Sequence, residues 1–132
     1  MAKLALILAF VGLTACSATP DSVFIHGPDG RDHALSGDAS WYGERFQGRK
    51  TASGEPFDAG DFTAAHRTLP FQTVVRVVDP ATRKSVVVRI NDRGPFTEGR
   101  VIDLSEAAAN DLGMIERGVI PVTIDILEWG SK

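Results

Sequence analysis

Three short segments of this 132-residue chain set polar and ionisable side chains among glycines and small residues: Thr51-Ala52-Ser53-Gly54-Glu55, Thr63-Ala64-Ala65-His66 and Asn91-Asp92-Arg93-Gly94-Pro95. If the fold gathers them into one cleft, the carboxylates can share an acid and a base role while the histidine orients or titrates one of them. Such chemistry needs one carboxyl kept protonated near operating pH, by burial or by a second carboxylate close by. A metal centre would use the same residue types, but the chain lacks a compact two-histidine signature such as His-Glu-x-x-His, so neither a metal nor another cofactor is expected.

Each segment stands at the edge of a strand read from the pattern. Ala39–Tyr42, Phe62–Ala65, Thr73–Val78 and Ser85–Ile90 are short, β-branched or aromatic runs. The last two flank Asp79-Pro80-Ala81-Thr82-Arg83-Lys84, which reads as a hairpin turn. Ser105 as N-cap, Glu106 in the first turn, Ala107–Ala109 and Gly113 just past the end predict one helix. Val119–Leu127 supplies a closing strand. The class is mainly β with one or two short helices, and the pattern leaves barrel and sandwich open.

The N-terminus carries Lys3, an apolar run from Leu4 to Leu13 and then Thr14-Ala15-Cys16. A spanning helix needs about 20 apolar residues, so this run reads as a secretory signal over residues 1–15. Leu13-Thr14-Ala15-Cys16 resembles the lipobox of bacterial lipoproteins, which implies a lipid on Cys16 and membrane attachment through it. Ser17 after the cysteine, rather than Asp, points to the periplasmic face of the outer membrane. Residues 16–38, rich in Ser, Thr, Pro, Asp and Gly, read as a tether carrying His26 and His33 without a role, and residues 39–128 as one domain. A net charge of −3 without a basic block argues against nucleic acid as a partner.

Five motifs in order, Ala39-Ser40-Trp41-Tyr42-Gly43, Thr51 to Glu55, Thr63 to Pro70, Val88 to Phe96 and Arg100 to Ser105, resemble the rare lipoprotein A (RlpA) family. The resemblance implies a six-stranded double-psi β-barrel. It also implies an endolytic lytic transglycosylase that cleaves the β-1,4 bond between N-acetylmuramic acid (MurNAc) and N-acetylglucosamine (GlcNAc) in peptidoglycan, preferring peptide-free strands and leaving a 1,6-anhydro end. Asp92 and Glu55 match the family's essential acids and His66 its histidine. Asp92 is then expected as acid and base, Glu55 as electrostatic support, and His66 as the group that holds a carboxylate. Asp103 resembles the Asp of other double-psi glycan enzymes and is a fourth candidate. Tyr42, Thr63, Arg93 and Asp58 are expected to bind substrate. Many family members also carry a C-terminal SPOR domain, whereas this sequence ends six residues after Ile126, so septal targeting is not inferred from the resemblance. A noncatalytic, expansin-like glycan-binding module is the competing reading.

Structural readings stand beside each of these. Asp92 and Arg93 could form a strand-end turn, Asp103 could complement the helix that follows, His66 could be a hydrogen-bonded core residue, Asp58 a solvated loop acid, and Trp41 and Tyr42 core aromatics.

Overall fold

The computed structural model describes residues 23–131. The signal segment, the lipobox and Cys16 lie outside the described residues. The chain forms β1 (Phe24–His26), β2 (Asp32–Ala34), β3 (Ser36–Tyr42), a 3-10 turn (Glu44–Phe46), β4 (Thr63–His66), β5 (Val74–Val78), β6 (Ser85–Asp92), β7 (Arg100–Ser105), α1 (Glu106–Leu112) and β8 (Ile120–Glu128). Six strands close a barrel in the order β3-β7-β4-β6-β5-β8, the architecture that the resemblance implies. β3 with β7 and β4 with β6 pair in parallel, and the other neighbours are antiparallel. Closure removes the free edges that a small open sheet would expose.

The β5–β6 hairpin follows directly from its alternation. Val75, Val77, Val86, Val88 and Ile90 fill the interior while Arg76 and Val87 face outward. At its turn, buried Asp79 accepts the Ala81 amide at 2.9 Å and the Arg117 guanidinium at 2.7 Å. The Arg117 pair and these hydrogen bonds hold the Asp79 carboxyl below its ordinary range against the opposing effect of burial. Helix α1 starts where expected, with Ser105 Oγ accepting the Ala108 amide, and ends at Gly113 with φ 73°.

Two elements depart from expectation. Strand β7 escapes the pattern because Val101, Ile102, Leu104 and Ser105 are all buried, which erases the two-residue alternation. The segment read as tether is structured from Phe24 onward: β1 and β2 form a hairpin and β3 begins at Ser36, three residues before Ala39. His33 anchors this hairpin. It is fully buried, with Nδ1 2.8 Å from Thr68 Oγ1 and Nε2 2.9 Å from Asp29 Oδ1, and it packs against Trp129 at 5.7 Å. A Cβ on Gly27 would lie 2.6 Å from His33 Nε2, so only glycine admits the imidazole there. Composition misses this anchor because the group in the core is polar.

His66 at the end of β4 is 2% exposed and bonded on both ring nitrogens. Nε2 donates to Ala34 O at 2.8 Å, and Nδ1 accepts the Thr68 and Leu69 amides, each at 3.1 Å. An Nδ1 that accepts two amides carries no proton, so the ring is the neutral Nε2–H tautomer. Burial pushes its pKa down to about 4. The unfolded chain protonates this residue near 6.5 and the native one does not, so its contribution is complete above pH 6.5 and is lost as pH falls toward 4. Linkage puts the loss at about 3 kcal/mol. Urea unfolding of wild type and His66→Gln at pH 7, 5.5 and 4 should show the variant less stable at pH 7 and flatter in its pH dependence; parallel profiles would rule this out.

Candidate active site

A row of four residues crosses the barrel wall. Ser40 on β3 pairs with Asp103 on β7, Asp103 pairs with Ala65 on β4, and Ala65 pairs with Asp92 on β6. Two one-residue bulges create this row. Opposite Ala64–Ala65 the β6 partners step from Ile90 to Asp92, and opposite Asp38–Ala39 the β7 partners step from Arg100 to Ile102. Regular pairing would set Asn91 rather than Asp92 beside Ala65, so the first bulge aims the carboxylate and the second brings Asp103 level with Ser40. With strands about 4.8 Å apart, the two aspartate backbones stand about 10 Å apart across β4. Ala65 between them leaves space for a substrate.

Asp92, Asp103 and Ala65 line a pocket of about 240 Å³, together with Tyr42 and the rim cations Arg49 and Lys50. A larger groove of about 560 Å³ lies on the side of the β1–β2 hairpin, but Asp38 is its sole carboxylate among the described residues. Paired acids occur in the smaller pocket, which is therefore the chemical site.

The two aspartates have different surroundings. Half-buried Asp103 is pushed above its ordinary carboxylate range, first by burial and additionally by the Asp92 charge, against an opposing hydrogen bond from Ser40 Oγ to its Oδ1. Asp92 Oδ1 accepts the Ala52 amide at 2.9 Å and its neighbour Arg93's amide at 2.8 Å, leaving Oδ2 for a substrate. Tyr42 packs its ring on Phe57 at 4.5 Å and edge-on to Phe46 at 5.7 Å. Its buried hydroxyl has no partner among the described residues, and burial together with the Asp92 and Asp103 charges pushes the phenol up, so it remains a donor.

The remaining candidates fall elsewhere. Glu55 is outside the pocket, with Oε1 2.5 Å from Arg89 Nη1; this pair holds its carboxyl below the usual range. The expected pairing of Glu55 with Asp92 is therefore replaced by Asp103 with Asp92. Arg89, which pairs with Thr63 while Asp92 pairs with Ala65, takes the Glu55 carboxylate to itself. Glu55 instead closes the loop that holds Asp92: Thr51 Oγ1 donates to Glu55 O at 2.7 Å, Ser53 N donates to Asn91 O at 3.2 Å, and Ala52 N reaches Asp92. His66 holds no carboxylate, because both nitrogens are committed to backbone. Thr63 is buried outside the pocket, and exposed Asp58 accepts the Gly60 amide within its own loop. Arg93 lines the pocket, but its Nη1 donates to His66 O at 3.2 Å and Leu69 O at 2.7 Å while its guanidinium lies 4.0 Å over Phe71. Ser40, Ala65, Arg49 and Lys50 are site residues that sequence reasoning missed. Ser40 and Ala65 sit inside quoted motifs, but small side chains announce no chemistry.

The family described as lytic transglycolase matches residues 34–124. The chain belongs to this family of double-psi β-barrels, and its relatives are RlpA proteins. It is 54% identical over 97 residues to the endolytic peptidoglycan transglycosylase RlpA of Neisseria meningitidis, covering 74% of this chain and 41% of that protein. To the protein of the same name from Pseudomonas aeruginosa it is 51% identical over 107 residues, covering 79% of this chain and 31% of the relative. The chain thus spans less than half the length of these curated relatives. Among solved structures, it is similar to the Streptomyces papain inhibitor, with TM-score 0.56, 26% identity and coverage of 69% and 91%. It is likewise similar to the Clavibacter michiganensis expansin, with TM-score 0.57, 25% identity and coverage of 74% and 52%.

A carboxyl whose folded pKa is raised costs stability whenever it ionises. That cost is absent below the unfolded pKa and complete above the folded one. Asp103→Asn should therefore raise the melting temperature at pH 7, with the gain shrinking toward zero as pH falls below the ordinary carboxylate range. Thermal melts at pH 7 and pH 3.5 check this, and a destabilised variant at pH 7 would contradict it.

Proposed function

We propose that the chain is an endolytic lytic transglycosylase acting on peptide-free peptidoglycan strands. The observation that carries the reading is the pair of unlike aspartates on either side of Ala65; the family and its named relatives support it. Asp103, the carboxyl with the raised pKa, gives its proton to the glycosidic oxygen as the bond from muramic C1 to that oxygen breaks. Asp92 faces the positive charge that develops at C1 and takes the proton of the muramic C6 hydroxyl as O6 bonds to C1. The GlcNAc hydroxyl leaves, the 1,6-anhydro ring closes, and no water is consumed. A proton passing from Asp92 to Asp103 restores the site. This exchanges the role first expected of Asp92, because burial raises the Asp103 carboxyl above its ordinary range. Tyr42 offers its free hydroxyl to a sugar oxygen. Ser40 positions Asp103, and Glu55 and His66 act through the backbone that positions Asp92 and Arg93.

Mass spectrometry of products from peptide-free strands should show anhydromuramic ends. Asp92→Asn and Asp103→Asn should each lower their yield about 100-fold or more while leaving the fold intact. Reducing ends would identify a hydrolase. Binding without products would favour an expansin-like module, the reading suggested by the expansin neighbour.

The same proposal places the protein on the periplasmic face of the outer membrane, held by lipid on Cys16. Cys16→Ser should move it from the membrane to the soluble fraction with its glycan cleavage unchanged. Unaltered fractionation would sink the anchor.

A further inference from the structure

Arg49 and Lys50 stand on the rim of a pocket whose ionisable acids are Asp92 and Asp103. Neither cation has a carboxylate partner among the described residues, where the ion pairs are His26–Asp32, His33–Asp29, Arg89–Glu55 and Arg117–Asp79. Both are held in place nonetheless. The backbone around them is pinned by Phe57 N to Arg49 O at 2.7 Å, Gly48 N to Phe57 O at 2.8 Å and the bridge of Lys50 with Pro56. The Arg49 guanidinium lies 5.5 Å from the centre of the Phe46 ring. Arg93, the third cation of the pocket, already spends its donors on carbonyls.

This arrangement fits an anionic group on the substrate. Muramic acid carries a lactyl ether that ends in a carboxylate on a peptide-free strand and in an uncharged amide where the peptide is attached. Two aspartates would repel that carboxylate unless cations face it on the opposite rim. We infer that Arg49 and Lys50 read the free lactyl carboxylate and so select peptide-free strands over peptide-bearing ones. The inference rests on the proposed peptidoglycan substrate and assigns its selectivity to a charge contact rather than to steric exclusion of the peptide.

The test measures binding to two forms of one peptide-free strand preparation, the first with lactyl carboxylates free and the second with them converted to methylamides. Wild type should bind the free-carboxylate strand about tenfold more tightly, and less so as salt rises. Arg49→Gln and Lys50→Gln should each weaken that binding about three- to fivefold and leave the methylamide strand unaffected. Arg76→Gln, an exposed cation on the barrel wall outside the pocket, serves as the charge control and should change neither. Equal affinity of wild type for the two strands, or equal weakening of both by the rim variants, overturns the inference. Anhydro product from the free-carboxylate strand is scored separately. Charge discrimination without product would overturn the transglycosylase reading and support the rim assignment, and product without discrimination would do the reverse.

Discussion

Everything chemical in this barrel depends on two single-residue offsets in its parallel pairings. A uniform slip of one residue would turn every side chain of a strand to its other face, at the cost of the core. A bulge confines the slip to one end. Val86, Val88 and Ile90 keep their inward register along β6, and after Ile90 the extra residue lets Asp92 take the place beside Ala65. On β7 the extra residue is buried Val101, so the offset there adds an apolar group to the core while bringing Asp103 level with Ser40. Hydrophobic burial thus holds the strands that carry the acids, and the bulges decide where those acids point.

The cost of the site appears as polar groups that the fold does not satisfy. Among the described residues the Tyr42 hydroxyl, Thr63 Oγ1 and Asn91 Oδ1 are buried without partners, and Asp103 sits where ionisation is disfavoured. Each such feature takes something from a small domain's narrow stability margin. Neighbouring polar residues recover it by being fully bonded. His66 joins β4 to Ala34 and to the chain that follows it, Ser105 caps α1 and donates to Asp61 O at 2.5 Å, and Asp79 braces the hairpin turn through Arg117.

Strand and helix existence were largely legible wherever one face is solvent and the other core. The β5–β6 hairpin and the capped α1 announce themselves through alternation, a proline turn, a serine and a glycine. β7 did not, since a strand buried on both faces has no alternation, and the β1–β2 hairpin did not, since its anchor is a histidine. The site was legible as a set of motifs and illegible as a geometry. Glu55, His66 and Asp92 occur in neighbouring loops and strands, yet Glu55 is taken up by Arg89 and backbone groups occupy both ring nitrogens of His66. What brings Asp103 to Asp92 is a bulge, and no residue type marks a bulge in advance.

The same barrel carries expansins and an inhibitor of papain among its structural neighbours, so fold alone does not separate a catalyst from a binder. A binding groove needs complementary shape and hydrogen bonds, and two carboxyls in identical surroundings would serve it as well as two in different ones. Proton transfer requires that they differ, because one must hold a proton while the other accepts one. Here the difference comes from placement. Asp103 lies between β3 and β4, half-buried beside Ser40, whereas Asp92 ends its strand under a loop whose amides bind one of its oxygens. Ala65 keeps the space between them open, and a larger side chain there would fill it. Asymmetric acids, an open floor and an unspent phenol donor together favour bond cleavage over passive binding.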